Sequence, residues 1–147
     1  EKKMMEEISV YKGMNGLKMV LKGALEFAKG DEIVGFGDSG KVGTEIIPDF
    51  MRTWHDRRIK AKIRLRTIFN NTPEAKEMMK KSARMRLREA RIMPIMFGSH
   101  MGIWICRDRS IIWLLAEDPI AIMIRNKEIS DEFRNFFDIL WEHAGKK

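Results

Sequence analysis

Between Gly98 and Asn126 the chain places three apolar runs in close succession. Residues 100–106 and 110–116 are rich in Ile, Trp and Leu, and the polar corner Arg107-Asp108-Arg109 separates them at hairpin spacing. Pro119 then opens a third run, Ile120 to Ile124. In the second run Ile111, Trp113 and Leu115 alternate with Ile112, Leu114 and Ala116, so both faces are apolar. Such strands are expected to be covered on two sides, and the remaining elements should supply those covers.

Those elements follow from the periodicities. Ile8 to Tyr11 alternates weakly, as a strand does. Leu17, Val20, Leu21, Ala24 and Ala28 then fall at helical spacing, with Asn15 as the expected cap and Gly30 as the stop. Glu32 to Gly37 is a short strand. Asp38 to Gly43 is a glycine-rich loop that leads into a helix ending at Lys60, with Pro48 in its first turn and Phe50, Met51 and Trp54 as its stripe. Lys62 to Phe69 alternates, with Ile63, Leu65 and Phe69 on one face and Lys62, Arg64 and Arg66 on the other. Asn70-Asn71-Thr72-Pro73 is turn and cap chemistry before a basic helix expected to reach about Leu87. Glu89 to Met93 is a further strand or an extended linker. A final helix is expected from Asp131 to His143, capped by Ser130, with Phe133, Phe136, Phe137 and Leu140 as its stripe. The order β-α-β-α-β-α-β-β-β-β-α predicts an α/β fold whose mixed sheet is parallel where helices intervene and antiparallel where hairpins do.

A chain of 147 residues suits a single domain over 1–147, and no apolar run approaches the roughly 20 residues of a membrane span. No signal-like apolar segment opens the chain, so a cytoplasmic protein is expected. The net charge of +7 is regional: residues 52–91 hold 14 Lys and Arg against 4 Asp and Glu, or +10, which leaves −3 for the rest. Such a stretch is a candidate nucleic-acid surface, although it lacks interleaved aromatics on which bases stack.

Few residues have the spacing that chemistry requires. The loop Gly35-Phe36-Gly37-Asp38-Ser39-Gly40-Lys41 sits between strand and helix, where free amides cradle anions, yet Val42 replaces the Ser or Thr of a phosphate-binding loop. Lone Cys106 excludes an internal disulfide, and His55, His100 and His143 lack the short-spaced partners of a metal site, so neither a metal nor a cofactor is expected. His100, Gly102 and Asp108 form H-x-G-x5-D. This resembles the H-x-K-x4-D motif of the phospholipase D-like fold, in which the His is the nucleophile and the Lys grips phosphate. Gly102 stands in place of that Lys and Asp108 falls one residue late. No catalytic residue is therefore assigned.

Other stretches resemble the effector domain of TrmB-type archaeal transcriptional regulators, a non-catalytic member of the same fold. They are Tyr11-Lys12-Gly13 with Gly16-Leu17, Trp54-His55 with Arg57-Arg58-Ile59, Ile63-Arg64-Leu65-Arg66 with Phe69-Asn70, Pro119-Ile120-Ala121, Lys127-Glu128-Ile129, and Leu140-Trp141. The resemblance implies a phospholipase D-like half-domain that senses a small molecule and forms a homodimer, with DNA reached only through a winged-helix domain absent from this sequence. The expected ligand is a sugar or phosphorylated metabolite, lined by Asp38, Ser39, Trp54, His55, Arg58, His100 and Trp104. The competing expectations are a phosphodiesterase or nuclease built from two chains, and a sequence-independent nucleic-acid binder using residues 52–91.

Overall fold

The computed structural model describes residues 7–94 and 100–145. Its elements are β1 (Glu7–Lys12), α1 (Gly13–Phe27), β2 (Glu32–Asp38), α2 (Pro48–Lys60), β3 (Arg64–Phe69), α3 (Pro73–Ser82), β4 (Arg88–Ile92), β5 (Met101–Cys106), β6 (Arg109–Leu114), β7 (Ile120–Arg125) and α4 (Lys127–His143). A π-helical turn, Val42–Ile46, precedes α2. The seven strands form one sheet in the order β1-β7-β6-β5-β2-β3-β4. Parallel pairing is confined to β2-β3 and β3-β4, where helices connect the strands, and every other pair is antiparallel. The fold is α/β with a mixed sheet, in line with the order expected from the sequence.

One face of the sheet carries the main core. Leu17, Leu21 and Ala24 of α1, with Met51 and Trp54 of α2, pack on Ile33, Leu65, Trp104, Ile111, Trp113 and Met123. On the other face Phe137 of α4 packs on Val34, Ile68 and Ile105. Ser110 of β6 and Ser130 of α4 meet there, 2.9 Å apart and both buried. Arg66 projects to this side too, paired with Glu32 at 2.8 Å and lying over the rings of Phe137 and Trp141.

Several sequence expectations need adjusting. The second cover is incomplete, because α4 leaves part of its side of the sheet bare: Ile8 is 71% exposed, and Val10, Met101 and Leu114 are exposed as well. Asn15 lies inside α1 and caps nothing; Lys12 holds the cap position without a side-chain bond. The last helix begins four residues earlier than expected, since Asn126 accepts from the Ile129 amide and Ser130 is interior. α3 stops at Ser82 instead of reaching Leu87, whose φ of +56° no helix accommodates. Its start is as expected, with Thr72 accepting from the Ala75 amide and Pro73 in the first turn.

Candidate functional site

The turn after β2 is built from its own side chains. Gly37 and Gly40 have φ of +85° and +86°, which few residues but glycine adopt. A Cβ at Gly40 would lie 2.8 Å from the Ala75 amide nitrogen, so the turn depends on glycine to approach the start of α3. Asp38 Oδ1 accepts from the Gly40 amide at 2.8 Å, Ser39 Oγ accepts from the Lys41 amide, and Thr72 Oγ1 donates to the Ser39 carbonyl at 2.6 Å. The amides of Gly40 and Lys41 are thus occupied, and the loop is a packed corner, not an anion cradle.

Beneath this corner lies a small cavity of about 30 Å³, lined by Asp38, His55, Thr67, Arg88, Trp104 and Trp113 among apolar neighbours. Its far wall depends on α2. The Arg58 side chain, 0% exposed, donates from Nη1 to the carbonyls of Ile63 and Leu87 at 2.8 Å each, from Nη2 to that of Arg86 at 3.0 Å, and from Nε to His55 Nδ1 at 3.1 Å. Since His55 Nδ1 accepts that bond, the neutral ring carries its proton on Nε2. Burial, with Arg88 and Arg58 nearby, pushes the His55 pKa down to about 2, so the ring stays neutral. Burial pushes Arg58 to about 10 and Arg88 to about 9, which leaves both charged at neutral pH. The Asp38 carboxyl moves up for the same reason, with the Gly40 bond opposing.

A stability prediction follows. His55 binds its proton in the unfolded chain below about pH 6.5 but not in the folded one, so it destabilises the fold as pH falls from that value toward 2. Asp38, shifted upward, acts with the opposite sign on the acid side. In an Asp38→Asn background, stability measured by urea unfolding should drop by about 2 kcal/mol between pH 7 and pH 4.5. The His55 ring resonances should not move over that range. A normal titration of His55 near pH 6.5 contradicts this.

The structure gathers some of the expected ligand residues and separates others. Asp38, His55 and Trp104 line the cavity; Ser39 and Arg58 lie buried behind it. Trp54 is a core residue whose indole donates to the Leu21 carbonyl at 2.7 Å, and it packs on Trp104 with ring centres 5.2 Å apart. Neither indole offers an exposed platform for a sugar. His100 is exposed and does not line the cavity. Ligand pockets for metabolites usually enclose about 300–1,000 Å³, so a sugar does not fit this cavity as it stands. Thr67 and Arg88 were missed by sequence reasoning. Thr67 alternates with Leu65 and Phe69 toward the core, and that parity was the one available signal for it.

In the H-x-G-x5-D stretch, packing covers the position at which the motif would carry a lysine. Gly102 pairs with Trp113 across β5 and β6, and a Cβ at Gly102 would collide with the Trp113 ring carbons and lie 2.8 Å from its Nε1. Gly35 is covered in the same way by Trp104, its cross-strand partner on β5. The indoles of Trp104 and Trp113 meet edge to face at 5.3 Å. Asp108 lies past the far end of β5 from His100, on the order of 20 Å away at about 3.3 Å per residue, and pairs with Arg125 at 3.3 Å. Cys106 is buried and its thiol is pushed up to about 11, which makes it an inert core residue.

Four of the fourteen basic residues in the stretch 52–91 are withdrawn from solvent. Arg58 is buried, Arg88 and Arg91 are partly so, and Arg66 pairs with Glu32, but the other ten basic residues of the stretch (Arg52, Arg57, Lys60, Lys62, Arg64, Lys76, Lys80, Lys81, Arg84 and Arg86) face solvent, so most of the charge remains exposed. Among the described residues no cluster of His, Cys, Asp and Glu is placed to hold a metal, and no helix is long and apolar enough to cross a membrane.

No family model and no curated protein matches this sequence. Its fold is that of solved structures of low identity. One is TrmBL2, an archaeal chromatin protein with a novel mode of DNA binding, at 19% identity and TM-score 0.65 over 99% of this chain and 56% of that one. Another is Nuc from Salmonella typhimurium, a phospholipase D family member, at 12% identity and TM-score 0.68 over 95% and 97% of the two chains. NucT from Helicobacter pylori matches at 8% identity and TM-score 0.69 over 96% and 99%. The architecture is phospholipase D-like, and the chain spans little more than half of TrmBL2.

Proposed function

We propose that this phospholipase D-like domain is a non-catalytic, dimerising and effector-sensing module of a TrmB-like transcriptional regulator. The observation that carries this reading is the Trp113 indole lying on Gly102. Phosphoryl transfer needs a cation at the developing charge. Where the motif would place that lysine, an aromatic ring already fills the space. His100 has no partner cation in the motif, and Asp108 is engaged with Arg125.

Dimerisation is supported by the sheet face that α4 leaves bare. Ile8 and Val10 of β1, with Met101 and Leu114 of the hairpin, are exposed, and so are Phe136 (55%) and Ile139 of α4. β1 is also an edge strand, which a second copy can extend antiparallel across a two-fold axis. In this reading DNA is reached through a winged-helix domain of the complete regulator, and the module acts in the cytoplasm. The likeness to TrmBL2, an archaeal chromatin protein with a novel mode of DNA binding, covers 99% of the chain and supports a regulatory reading.

Sedimentation at micromolar concentration should show a dimer that Phe136→Glu converts to monomer with an unchanged circular dichroism spectrum. The same samples should leave bis(p-nitrophenyl) phosphate and single-stranded DNA intact. Hydrolysis abolished by His100→Ala would overturn the reading in favour of a two-chain nuclease. Salt-sensitive DNA binding by residues 52–91 would favour a sequence-independent nucleic-acid binder.

A further inference from the structure

The cavity under the 38–43 turn presents polar groups with nothing to bond. Thr67 Oγ1, Arg88 Nη1 and Trp104 Nε1 are all buried without a hydrogen-bond partner, and all three residues line the same space. Thr67 is 1% exposed and Trp104 5%, so bulk water does not satisfy them. An unmet buried donor is costly, and three around one void are rarely left so. The void is about 30 Å³, whereas a water-sized group needs about 10–15 Å³. It therefore admits only a small occupant, no larger than about two water-sized groups.

Charge decides which occupant. Two guanidinium groups, Arg58 and Arg88, stand in or behind the cavity wall. Arg58 bonds only to carbonyls and His55, and Arg88 Nε donates to Ser82 Oγ at 3.2 Å. Among the described residues neither forms an ion pair with a carboxylate within 4 Å, although Asp38 and Arg88 act on one another electrostatically at longer range. Asp38 is the one acid lining the cavity. Even if it is ionised, Arg58 and the partly buried Arg88 keep one positive charge in excess, and burial favours the neutral form of Asp38 with the Gly40 bond and Arg88 opposing. Buried charge of this kind calls for a counter-ion. Indole and guanidinium nitrogens are donors only, and a neutral His55 with its proton on Nε2 adds a further N–H to the wall.

We propose that this cavity binds a small monovalent anion, of the size of chloride or bromide, held by the Arg88 guanidinium, the Trp104 indole N–H and the Thr67 hydroxyl. The site is separate from the H-x-G-x5-D stretch and does not depend on the regulatory reading. It joins the turn after β2, the start of β4 and the Trp104-Trp113 pair, so an anion there ties the parallel half of the sheet to the antiparallel half.

Crystals soaked in sodium bromide test this directly. An anomalous peak within hydrogen-bond distance of Arg88 Nη1 and Trp104 Nε1 is the expected result. In solution the melting temperature should rise by about 4 °C in 200 mM sodium bromide over sodium gluconate of equal ionic strength, since gluconate is too large to enter. The isosteric Thr67→Val, which removes one donor and leaves the shape, should weaken this halide response several-fold while retaining the fold in gluconate. Should Thr67→Val fail to fold, Trp104→Phe serves for the same comparison. A water at that position in bromide-soaked crystals, or equal melting in the two salts, overturns the proposal.

Discussion

Arg58→Ala is expected to cost about 3–5 kcal/mol of stability, the range for stripping a buried charged group from its partners. The side chain makes four hydrogen bonds to positions far apart in sequence, reaching from α2 to the carbonyls of Ile63, Arg86 and Leu87 and to His55. All three of those carbonyls adjoin or belong to residues in the left-handed region, Lys62 at φ +58° and Leu87 at φ +56°. Left-handed non-glycine residues persist only where surrounding bonds hold them. Arg58 therefore fixes the entries to both β3 and β4. Arg58→Lys should recover little, because one ammonium on a flexible stem cannot reproduce the planar fork. Urea unfolding with circular dichroism measures both variants, and a loss below 1 kcal/mol for Arg58→Ala would show that the bonds are dispensable.

The second large effect concerns the missing lysine. Gly102→Lys completes the H-x-K part of the motif on paper, yet it should yield no phosphodiesterase and should destabilise the chain by several kcal/mol, as severe overpacking does. Its Cβ would enter the Trp113 ring, which is itself buried against Trp104. Gly102→Lys combined with Trp113→Ala should be more stable than the lysine variant alone, since the second change vacates the space the first one needs. Thermal unfolding of the single and double variants decides the matter. A stable, folded Gly102→Lys single variant would show that Trp113 moves aside freely, and hydrolysis by it would show that the indole does not keep a lysine from the motif position.

How far the sequence reached depended on the range of the interaction concerned. Hairpin spacing around Arg107-Asp108-Arg109, the Thr72-Pro73 helix start and the i, i+3, i+4 stripe of Leu17, Val20 and Leu21 are local, and each is found where the pattern placed it. The cap of α4 was misplaced because Asn126 and Ser130 are both good cap residues; Ser130 is drawn inside by Ser110, twenty residues away. The candidate ligand residues mixed two environments for the same reason. Asp38, His55 and Trp104 converge only because β5 inserts beside β2, whereas His100 lies on the same strand approach and ends up in solvent.

The sequence by itself determined the element order, the mixed sheet and the absence of a lysine at Gly102, since periodicity, turn chemistry and residue identity act within a few positions of the chain. Only the tertiary structure decided that Trp113 fills the space over Gly102, that Arg58 and Arg88 turn inward from a stretch that looks uniformly basic, and that Thr67, Arg88 and Trp104 line one cavity. The physical reason is that strand register sets which distant side chains face one another, and burial then assigns each charge or donor its cost.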